Sequence, residues 1–353
     1  MTEEDRIRVL VVDDSLVARE MLAQILATDS SIEVVGFARD GREAADAVAH
    51  LRPDLVTMDI HMPRMDGLEA TERIMAYTPT PILVVSSSVH GEGMGRAFDA
   101  LTFGALEVIK KPEPRDWADL EHIGREVIRR VKVLSKVKVI THIGGRRPRK
   151  TSGVPVPPHA EKPGGRSLVA VGSSTGGPSA LLEILGRLPG DLPAPIVIAQ
   201  HIADGFVPGL VSWLDSGSEM TVREAEEGGR VHEGCAYIAP TSINLEMDNE
   251  VMRFSTPQKD QLYVPCADTL FDSVARGFGR QAVGVILTGM GADGAAGLKR
   301  MRDAGAATIA QDEKTSTVYG MPKAAVERGA VESVLPVHEI AGRLQNLITG
   351  EDG

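Results

Sequence analysis

A short apolar run followed by a segment with helical spacing recurs along most of this chain. Such runs are typical of buried parallel strands, and the segments between them are typical of connecting helices. With 353 residues, 42% of them hydrophobic, the chain is long enough for two domains with ordinary cores. We therefore predict the α/β class, with two doubly wound parallel sheets joined by a linker. The predicted strands are 7–12, 32–38, 55–58, 82–85 and 106–109 in the first domain, and 168–171, 195–199, 282–287 and 307–310 in the second, which also has a hairpin around Asp248-Asn249.

Polar residues follow the ends of the predicted strands in the first domain. Asp13 and Asp14 follow the first strand, Asp59 the third, Ser86 the fourth and Lys111 the fifth. Ligands bind at the carboxyl ends of the strands in sheets of this type. Three carboxylates repel one another, and a hard cation such as Mg²⁺ would relieve that repulsion, while a lysine and a hydroxyl suit a phosphoryl group. The alternative interpretation, helix caps and turn residues, explains one such aspartate better than the whole set.

A longer set of motifs includes these strand ends: Asp13-Asp14, Met58-Asp59-Ile60-His61-Met62-Pro63-Arg64-Met65-Asp66-Gly67, Ser86 and Lys111-Pro112. The set resembles the motifs of a response-regulator receiver domain, and the resemblance covers about residues 7–125. It implies a flavodoxin-like fold for this part of the chain. One position departs from the pattern: three residues before Lys111, where receivers often have an aromatic residue, this chain has Val108. We therefore expect no rotating aromatic switch there.

The resemblance also implies a role for each of the polar residues. Asp59 is implied to accept a phosphoryl group from a partner histidine kinase. Ser86 and Lys111 are implied to contact the phosphoryl oxygens. The implied Mg²⁺ ligands are Asp13, Asp14, Asp59 and the main chain of His61.

Residues 128–139 could prolong the last helix of the first domain, but the segment 126–166 as a whole has the composition of a linker, because it is rich in proline and glycine and has too few apolar residues for a core. Residues 132–166 contain nine Lys or Arg and one Glu, although the whole chain has a net charge of -11. A basic tether between acidic domains can steer their docking, and salt would weaken that effect. A nucleic-acid patch is the alternative, but the segment has no interleaved aromatic residues, and we expect no nucleic-acid partner.

The N-terminal residues, the apolar runs and the cysteines indicate where in the cell the protein is located. The N-terminus is charged, from Glu3 to Arg6, which is untypical of a signal peptide, and no apolar run has the length of a membrane span. Cys235 and Cys266 are the only cysteines, and they lack the spacing of a metal site. We expect a cytoplasmic protein without direct membrane insertion.

The stretch Val169–Pro178 ends an apolar strand in a turn of glycine, serine and threonine. Within it, Gly172-Ser173-Ser174-Thr175-Gly176 fits the pattern G-x-S-x-G, which exposes a serine on a sharp strand-to-helix turn. The helix that follows offers free N–H groups to a developing negative charge. Glycine- and serine-rich turns without a nucleophile are also common in α/β proteins, so the motif alone leaves the function open.

His201 and Asp293 also lie just beyond the ends of predicted strands. Because a parallel sheet brings such ends together, the hydroxyl of Ser174, an imidazole and a carboxylate could meet at one edge as the parts of nucleophilic catalysis. The residues alone leave an alternative open, a satisfied histidine and a glycine-flanked turn aspartate. The chain order Ser, His, Asp differs from the order Ser, Asp, His of lipase-type α/β-hydrolases, which disfavours that class.

A second set of motifs extends this pattern: Gly172 to Pro178, Gln200-His201, Ala239-Pro240 and Leu287 to Gly294. The set resembles the catalytic domain of chemotaxis protein-glutamate methylesterases, and it places a Rossmann-like domain at 167–350. It implies that Ser174 attacks glutamyl 5-O-methyl esters on membrane chemoreceptors and that the family also deamidates receptor glutamines. Where this family often has Ala before the nucleophile, this chain has Ser173.

The second resemblance implies further roles and a form of regulation. His201 is implied to be the general base and then the general acid, oriented by Asp293. The backbone N–H groups of Thr175 and Met290 are candidates for the oxyanion hole. We expect the unphosphorylated receiver to cover the Ser174 edge and restrain the esterase, and phosphorylation to release it.

Two other functions stay open at this point. The chain could be predominantly a receptor glutamine deamidase, which would release ammonia in place of methanol. It could also be a non-catalytic chemosensory adaptor, although the joint presence of a serine, a histidine and an aspartate argues against that. A transcription factor is excluded, because the second half lacks a helix-turn-helix pattern and a basic recognition face.

Overall fold

The computed structural model describes residues 6–87, 94–113, 117–139, 165–259 and 261–350. The chain divides into two compact units, and the boundary between them lies between Arg147 and Pro148. That boundary falls inside the segment that the sequence predicts as a linker. No helix in the described ranges combines the length and the apolar composition that crossing a bilayer requires.

The first unit is built on a five-stranded sheet in the order β2-β1-β3-β4-β5, in which every neighbouring pair is parallel. This order is the flavodoxin-like one, and it reverses between β1 and β3. The strands are β1 Ile7–Val12, β2 Ile32–Ala38, β3 Leu55–Met58, β4 Ile82–Ser86 and β5 Glu107–Lys110. The helices are α1 Leu16–Ala27, α2 Gly41–Leu51, α3 Gly67–Tyr77, α4 Met94–Thr102 and α5 Trp117–Leu134.

Side-chain caps fix where the first three helices begin. Ser15, Asp40 and Asp66 are extended N-cap residues, and their side-chain oxygens accept hydrogen bonds from the first backbone N–H groups of α1, α2 and α3. The last helix, α5, continues beyond residue 126, where the sequence predicts the linker to begin. Packing explains this extension of the helix, because Val127, Val131 and Leu134 are buried in the core of the first unit at helical spacing.

The second unit is built on a seven-stranded sheet in the order β14-β13-β12-β6-β7-β9-β8, again with every neighbouring pair parallel. An antiparallel hairpin, β10–β11, turns at Asn249. The strands are β6 Leu168–Ser173, β7 Ile196–Gln200, β8 Thr221–Glu224, β9 Cys235–Ile238, β10 Asn244–Asp248, β11 Val251–Ser255, β12 Ala282–Ile286, β13 Ala307–Gln311 and β14 Ser333–Leu335. The helices are α6 Gly177–Leu185, α7 Val207–Ser216, α8 Ala267–Phe278, α9 Ala295–Asp303, α10 Met321–Glu327 and α11 Val337–Thr349.

The topology of the second sheet determines where a site can form. The first strand of this unit, β6, lies between β7 on one side and β12 on the other. The strand order therefore reverses at β6, and the carboxyl ends of these three strands meet at the switch point where ligands bind in such sheets. The predicted α/β class with two parallel sheets is confirmed. The short edge strand β14 was not predicted.

Candidate active site and phosphorylation site

The turn after β6 is shaped by glycines that leave no room for a side chain. Gly176 has a φ of +77°, and a Cβ atom at this position would overlap the Thr317 side chain. The loop after the neighbouring strand β12 also holds the turn, because the Ser174 N–H donates to the Thr288 carbonyl at 3.0 Å. Gly289 lies so close that a Cβ on it would be 2.7 Å from Ser174 Cβ. The half-buried Ser174 therefore sits between the start of α6 and the loop after β12.

The structure brings His201 and Asp293 into direct contact. The Nε2 atom of His201 lies 2.8 Å from Oδ2 of Asp293, and only 9% and 5% of the two side chains are exposed. Among the described residues, the buried Nδ1 atom of His201 has no hydrogen-bond partner. Tyr263 stacks on the imidazole with a centroid distance of 4.6 Å and an interplanar angle of 6°. The ring is thus held by a carboxylate at one edge and by an aromatic plane on one face.

Asp293 accepts hydrogen bonds on both carboxylate oxygens. Burial alone would raise the pKa of Asp293, but the hydrogen bond and charge of His201, together with backbone N–H groups, lower it below its usual value. The carboxylate therefore stays ionised. The donors are His201 Nε2 and Ala267 N to Oδ2, and Cys266 Sγ, Asp268 N and Gly294 N to Oδ1, at 2.8 to 3.2 Å.

Cys266, just before α8, is the least usual of these donors. Burial, reinforced by the negative charge of Asp293, raises the pKa of the Cys266 thiol to about 11. The group is therefore a protonated thiol at neutral pH, and it donates to Asp293 from 3.2 Å. It is not the low-pKa thiolate that reactive cysteines present.

In the predicted triad, Ser174 directly follows β6, His201 directly follows β7, and Asp293 lies in the loop after β12. Ser173 pairs with Gln200 at the ends of β6 and β7, so Ser174 and His201 leave neighbouring strands at the same level. Thr175 is buried, and its carbonyl accepts from the Thr288 hydroxyl at 2.9 Å.

Sequence reasoning missed three residues that contact this site, and they differ in how detectable they were. Tyr263 lies in an irregular segment without a pattern, and Cys266 was considered as a metal ligand, for which its spacing is wrong. Gln200 was part of a quoted motif but had no role. Met290, a predicted oxyanion donor, is half-buried and follows Gly289.

The first unit gathers the acidic residues predicted to bind a metal. Carboxylate oxygens of Asp13, Asp14 and Asp59 all lie within 4.8 Å of one another. Asp13 and Asp59 are buried, and Asp14 is exposed. The ammonium group of Lys111 lies 2.6 Å from Asp13 Oδ2 and 3.2 Å from Asp59 Oδ2. Ser86 is buried at the end of β4, and its carbonyl accepts from the Lys111 N–H at 2.9 Å.

The charges in this cluster change the proton affinity of its members. Burial raises the pKa of Asp59 and the charge of Asp13 adds to it, and together they outweigh the attraction of Lys111. Although burial alone would lower the pKa of Lys111, its hydrogen bond to Asp13 and the charges of both aspartates raise it. Three carboxylates facing one ammonium group leave an excess of negative charge. An oxygen-seeking cation fits that donor set, with Asp14 open to solvent on one side. His61 is exposed, and its side chain is not needed for the predicted main-chain contact.

Comparison with known proteins agrees with both halves of this picture. The response regulator receiver domain family matches residues 9–120, and the CheB methylesterase family matches residues 169–344. The chain is 47% identical to "Protein-glutamate methylesterase/protein-glutamine glutaminase 2" of Anaeromyxobacter dehalogenans (strain 2CP-C), over 97% of each chain. The chain belongs to the CheB methylesterase family. The predicted family is therefore confirmed, together with its combination of a receiver and a methylesterase domain.

A further relative and a solved structure are similar to this chain. "Protein-glutamate methylesterase/protein-glutamine glutaminase" of Pyrococcus horikoshii is 41% identical, over 95% of this chain and 92% of that protein. Among solved structures, the Thermotoga maritima CheB methylesterase catalytic domain is 40% identical with a TM-score of 0.49, over 52% of this chain and 99% of that chain.

Proposed function

We propose that this CheB-family chain hydrolyses glutamyl 5-O-methyl esters on membrane chemoreceptors to glutamate and methanol, and that it deamidates receptor glutamines at the same site. The observation that supports this best is the contact of 2.8 Å between His201 Nε2 and Asp293 Oδ2, beside the turn that holds Ser174. The names of the two relatives described above give both activities. The catalytic residues we assign are Ser174, His201 and Asp293.

The free nitrogen of His201 determines how the proton moves. Since Nε2 faces Asp293, Nδ1 is the atom that takes the Ser174 proton as the Oγ atom attacks the ester carbonyl. A tetrahedral intermediate forms, and its collapse breaks the bond to the methoxy oxygen, which leaves as methanol with the proton from Nδ1. Water then attacks the acyl-serine with the same general-base help and releases glutamate and free Ser174.

Asp293 and the candidate oxyanion hole stabilise the charges that develop during these steps. Asp293, kept ionised, holds the tautomer of His201 and stabilises the imidazolium that forms. The backbone N–H groups of Thr175 and Met290 are our candidates for donors to the oxyanion, and one such donor contributes about 3 kcal/mol in other hydrolases.

Deamidation uses the same acyl chemistry, with an amide in place of the ester. His201 then protonates the leaving nitrogen, and ammonia is released. Measuring the products shows which activity predominates, because receptors with glutamine yield ammonia and receptors with methyl-glutamate yield methanol. An adaptor without catalysis would yield neither.

The receiver domain makes the esterase responsive to phosphorylation. We propose that Asp59 accepts the phosphoryl group of a phosphohistidine on a cytoplasmic chemotaxis kinase, and that Ser86 and Lys111 contact its oxygens. Bound Mg²⁺ would neutralise the charge that develops on those oxygens. Its ligands would be the clustered carboxylates of Asp13, Asp14 and Asp59 and the main chain of His61. Phosphorylation would then release the esterase from restraint by the receiver.

The test uses the full-length protein and a methylated chemoreceptor fragment, with methanol measured as product. Ser174→Ala should abolish methanol release. The adjacent Ser173→Ala variant is the matched control, because it also removes one hydroxyl from the turn but should keep most of the activity. Methanol release by Ser174→Ala at the wild-type rate would refute the assignment of the nucleophile.

Regulation is tested on the same protein with a small phosphodonor, acetyl phosphate, and Mg²⁺. The donor should increase methanol release by the wild type and should have no effect on Asp59→Asn. An equal increase in both proteins would show that Asp59 is not the regulatory acceptor.

A further inference from the structure

We infer that Gln200 is a positioning residue of the esterase: its side-chain amide holds the peptide group whose N–H we assign to the oxyanion hole. The inference rests on the proposed function, and it concerns a residue that does not touch the reacting atoms. Gln200 ends β7 and is 1% exposed, so its amide is out of reach of solvent. Its hydrogen bonds connect the turn that bears Ser174 to the loop that bears His201.

Both N–H donors and one acceptor position of this amide are used inside the protein. Oε1 accepts from the Ser173 hydroxyl at 2.6 Å, and Nε2 donates to the carbonyls of Ser174 at 2.9 Å and His201 at 2.8 Å. The orientation of the amide follows from its partners, because the two carbonyls can only accept. A reversed amide would direct its oxygen at both of them.

The hydrogen bond to Ser174 has a consequence on the opposite side of the peptide group. The Ser174 carbonyl and the Thr175 N–H belong to one planar trans peptide, so they point in opposite directions. The carbonyl is held by two donors, Gln200 Nε2 and, at 2.8 Å, the Gly177 N–H. Fixing the carbonyl in this way also fixes the direction of the Thr175 N–H. Preorganised donors of this kind stabilise a developing oxyanion without a reorganisation cost.

The second hydrogen bond of Nε2 extends the same support to the base. The backbone of His201 is held at its N–H by the Ser173 carbonyl, at 2.9 Å, and at its carbonyl by Gln200. One buried amide thus sets the backbone of the proposed nucleophile and of the proposed base relative to each other.

Because Gly177 has no side chain, it leaves room for the amide of Gln200. A Cβ atom on Gly177 would overlap Oε1 of Gln200 and would lie 2.9 Å from Ser173 Cβ. The second glycine of the pair Gly176-Gly177 is therefore explained by the Gln200 side chain, and the first by a different neighbour, Thr317. The sequence motif and the amide form one packed unit.

Two variants separate the donor function of the amide from its bulk. Gln200→Met keeps a similar unbranched side chain but removes both donors. Gln200→Glu keeps the shape and places an oxygen against the two carbonyls. Ser173→Ala is the matched control, since it removes the hydroxyl partner of Oε1 but leaves both Nε2 hydrogen bonds, and the two carbonyls still dictate the orientation of the amide.

The experiment measures kcat and KM for methanol release by the full-length protein from a methylated receptor fragment. It also measures inhibition by a trifluoromethyl ketone peptide, whose adduct with the serine mimics the tetrahedral intermediate. We expect Gln200→Met to lower kcat about 30-fold, which is less than the roughly 100-fold or greater loss on removing an oxyanion donor outright, and to change KM less than about threefold. Affinity for the ketone should fall with kcat/KM. Gln200→Glu should lower kcat at least as much, and Ser173→Ala less than about threefold.

The results that would overturn the inference are distinct. Unchanged kcat in Gln200→Met, a rise in KM alone, or an equal loss in Ser173→Ala would each contradict it. If Gln200→Met fails to fold, as judged by thermal unfolding, the comparison of Gln200→Glu with Ser173→Ala decides. Activity of Ser174→Ala would refute the proposed function, whereas an inactive Ser174→Ala beside a fully active Gln200→Met would refute this inference alone.

Discussion

Asp59 and Asp293 occupy equivalent places in the two units and differ in their electrostatics. Each follows a buried strand at the carboxyl edge of a parallel sheet, and each is almost fully buried, with 4% and 9% of the residue exposed. The pKa of Asp59 is raised above its usual value, whereas the pKa of Asp293 is lowered. The position in the fold therefore does not set the charge state of a carboxyl group. Its hydrogen-bond donors and neighbouring charges do.

The donors around the two groups explain the difference. Asp293 is surrounded by N–H groups at the starts of α8 and α9, by a thiol and by an imidazole. Asp59 shares one ammonium group with Asp13, and Asp14 lies beside them. One site is complete within the protein and keeps a permanent anion. The other has an excess of negative charge, which a bound cation would offset, and the pKa of its Asp59 carboxyl is raised.

The largest expected effect is on kcat, and it comes from removing the negative charge of Asp293. Asp293→Asn should lower kcat for ester hydrolysis about 10⁴-fold, because an amide neither stabilises the imidazolium nor selects its tautomer. The measurement is methanol release from a methylated receptor fragment. Phosphorylation of Asp59 by acetyl phosphate serves as the control and should persist. A loss below tenfold would mean that Asp293 is not the orienting group.

A smaller effect is expected on stability, with opposite signs at the two sites. A lowered pKa means that ionised Asp293 stabilises the fold above the usual aspartate pKa, and that this contribution is lost as the pH falls through the folded value. A raised pKa means that ionised Asp59 destabilises the fold once the pH has risen through its folded value. At pH 7 without Mg²⁺, Asp293→Asn should lower the free energy of unfolding by about 2 kcal/mol, and Asp59→Asn should raise it.

The chain offers a probe for each unit, because its two tryptophans are Trp117 and Trp213. Denaturant unfolding followed by Trp213 fluorescence in a Trp117→Phe background reports on the second unit, and the reverse variant, Trp213→Phe, reports on the first. Shifts of the same sign for Asp59→Asn and Asp293→Asn would contradict the comparison.

The smallest effect should come from the thiol donor of Asp293. Cys266→Ala removes one of the hydrogen bonds to Oδ1 and should lower kcat less than about fivefold, because the backbone donors remain. Cys266→Ser, which keeps a donor, should lie closer to the wild type. Since the thiol pKa is about 11, iodoacetamide at pH 7 should leave the activity largely intact. Rapid inactivation through alkylation of Cys266 would show that the group is a thiolate.

Both the sheets and the acidic strand ends could be predicted, because they depend on local patterns. Continuous apolar runs occur where both faces of a parallel strand are buried; Asp13 and Asp59 directly follow such runs, and Asp293 lies in the short loop after one. The family and its two domains followed from motifs of the same local kind, and the comparisons confirmed them.

What could not be predicted depends on contacts between distant residues. Tyr263 reaches His201 from a segment without regular structure, so no spacing in the sequence indicates the stacking. The edge strand β14 is three residues long with Val334 exposed, which leaves no apolar run to detect. The linker was assigned from residue 126, although residues 128–139 were also predicted to be able to prolong the last helix, and Val127, Val131 and Leu134 are in fact buried at helical spacing.

The central place of β6 in its sheet has a consequence during protein synthesis. This strand leaves the ribosome first in its unit, but its partner β12 begins only at Ala282, over a hundred residues later. At typical elongation rates the serine turn exists for roughly 5 to 20 s before that partner is made. A nascent chain interrupted before β12 lacks both the strand that pairs with β6 and Asp293, so a prematurely terminated product lacks one member of the proposed triad.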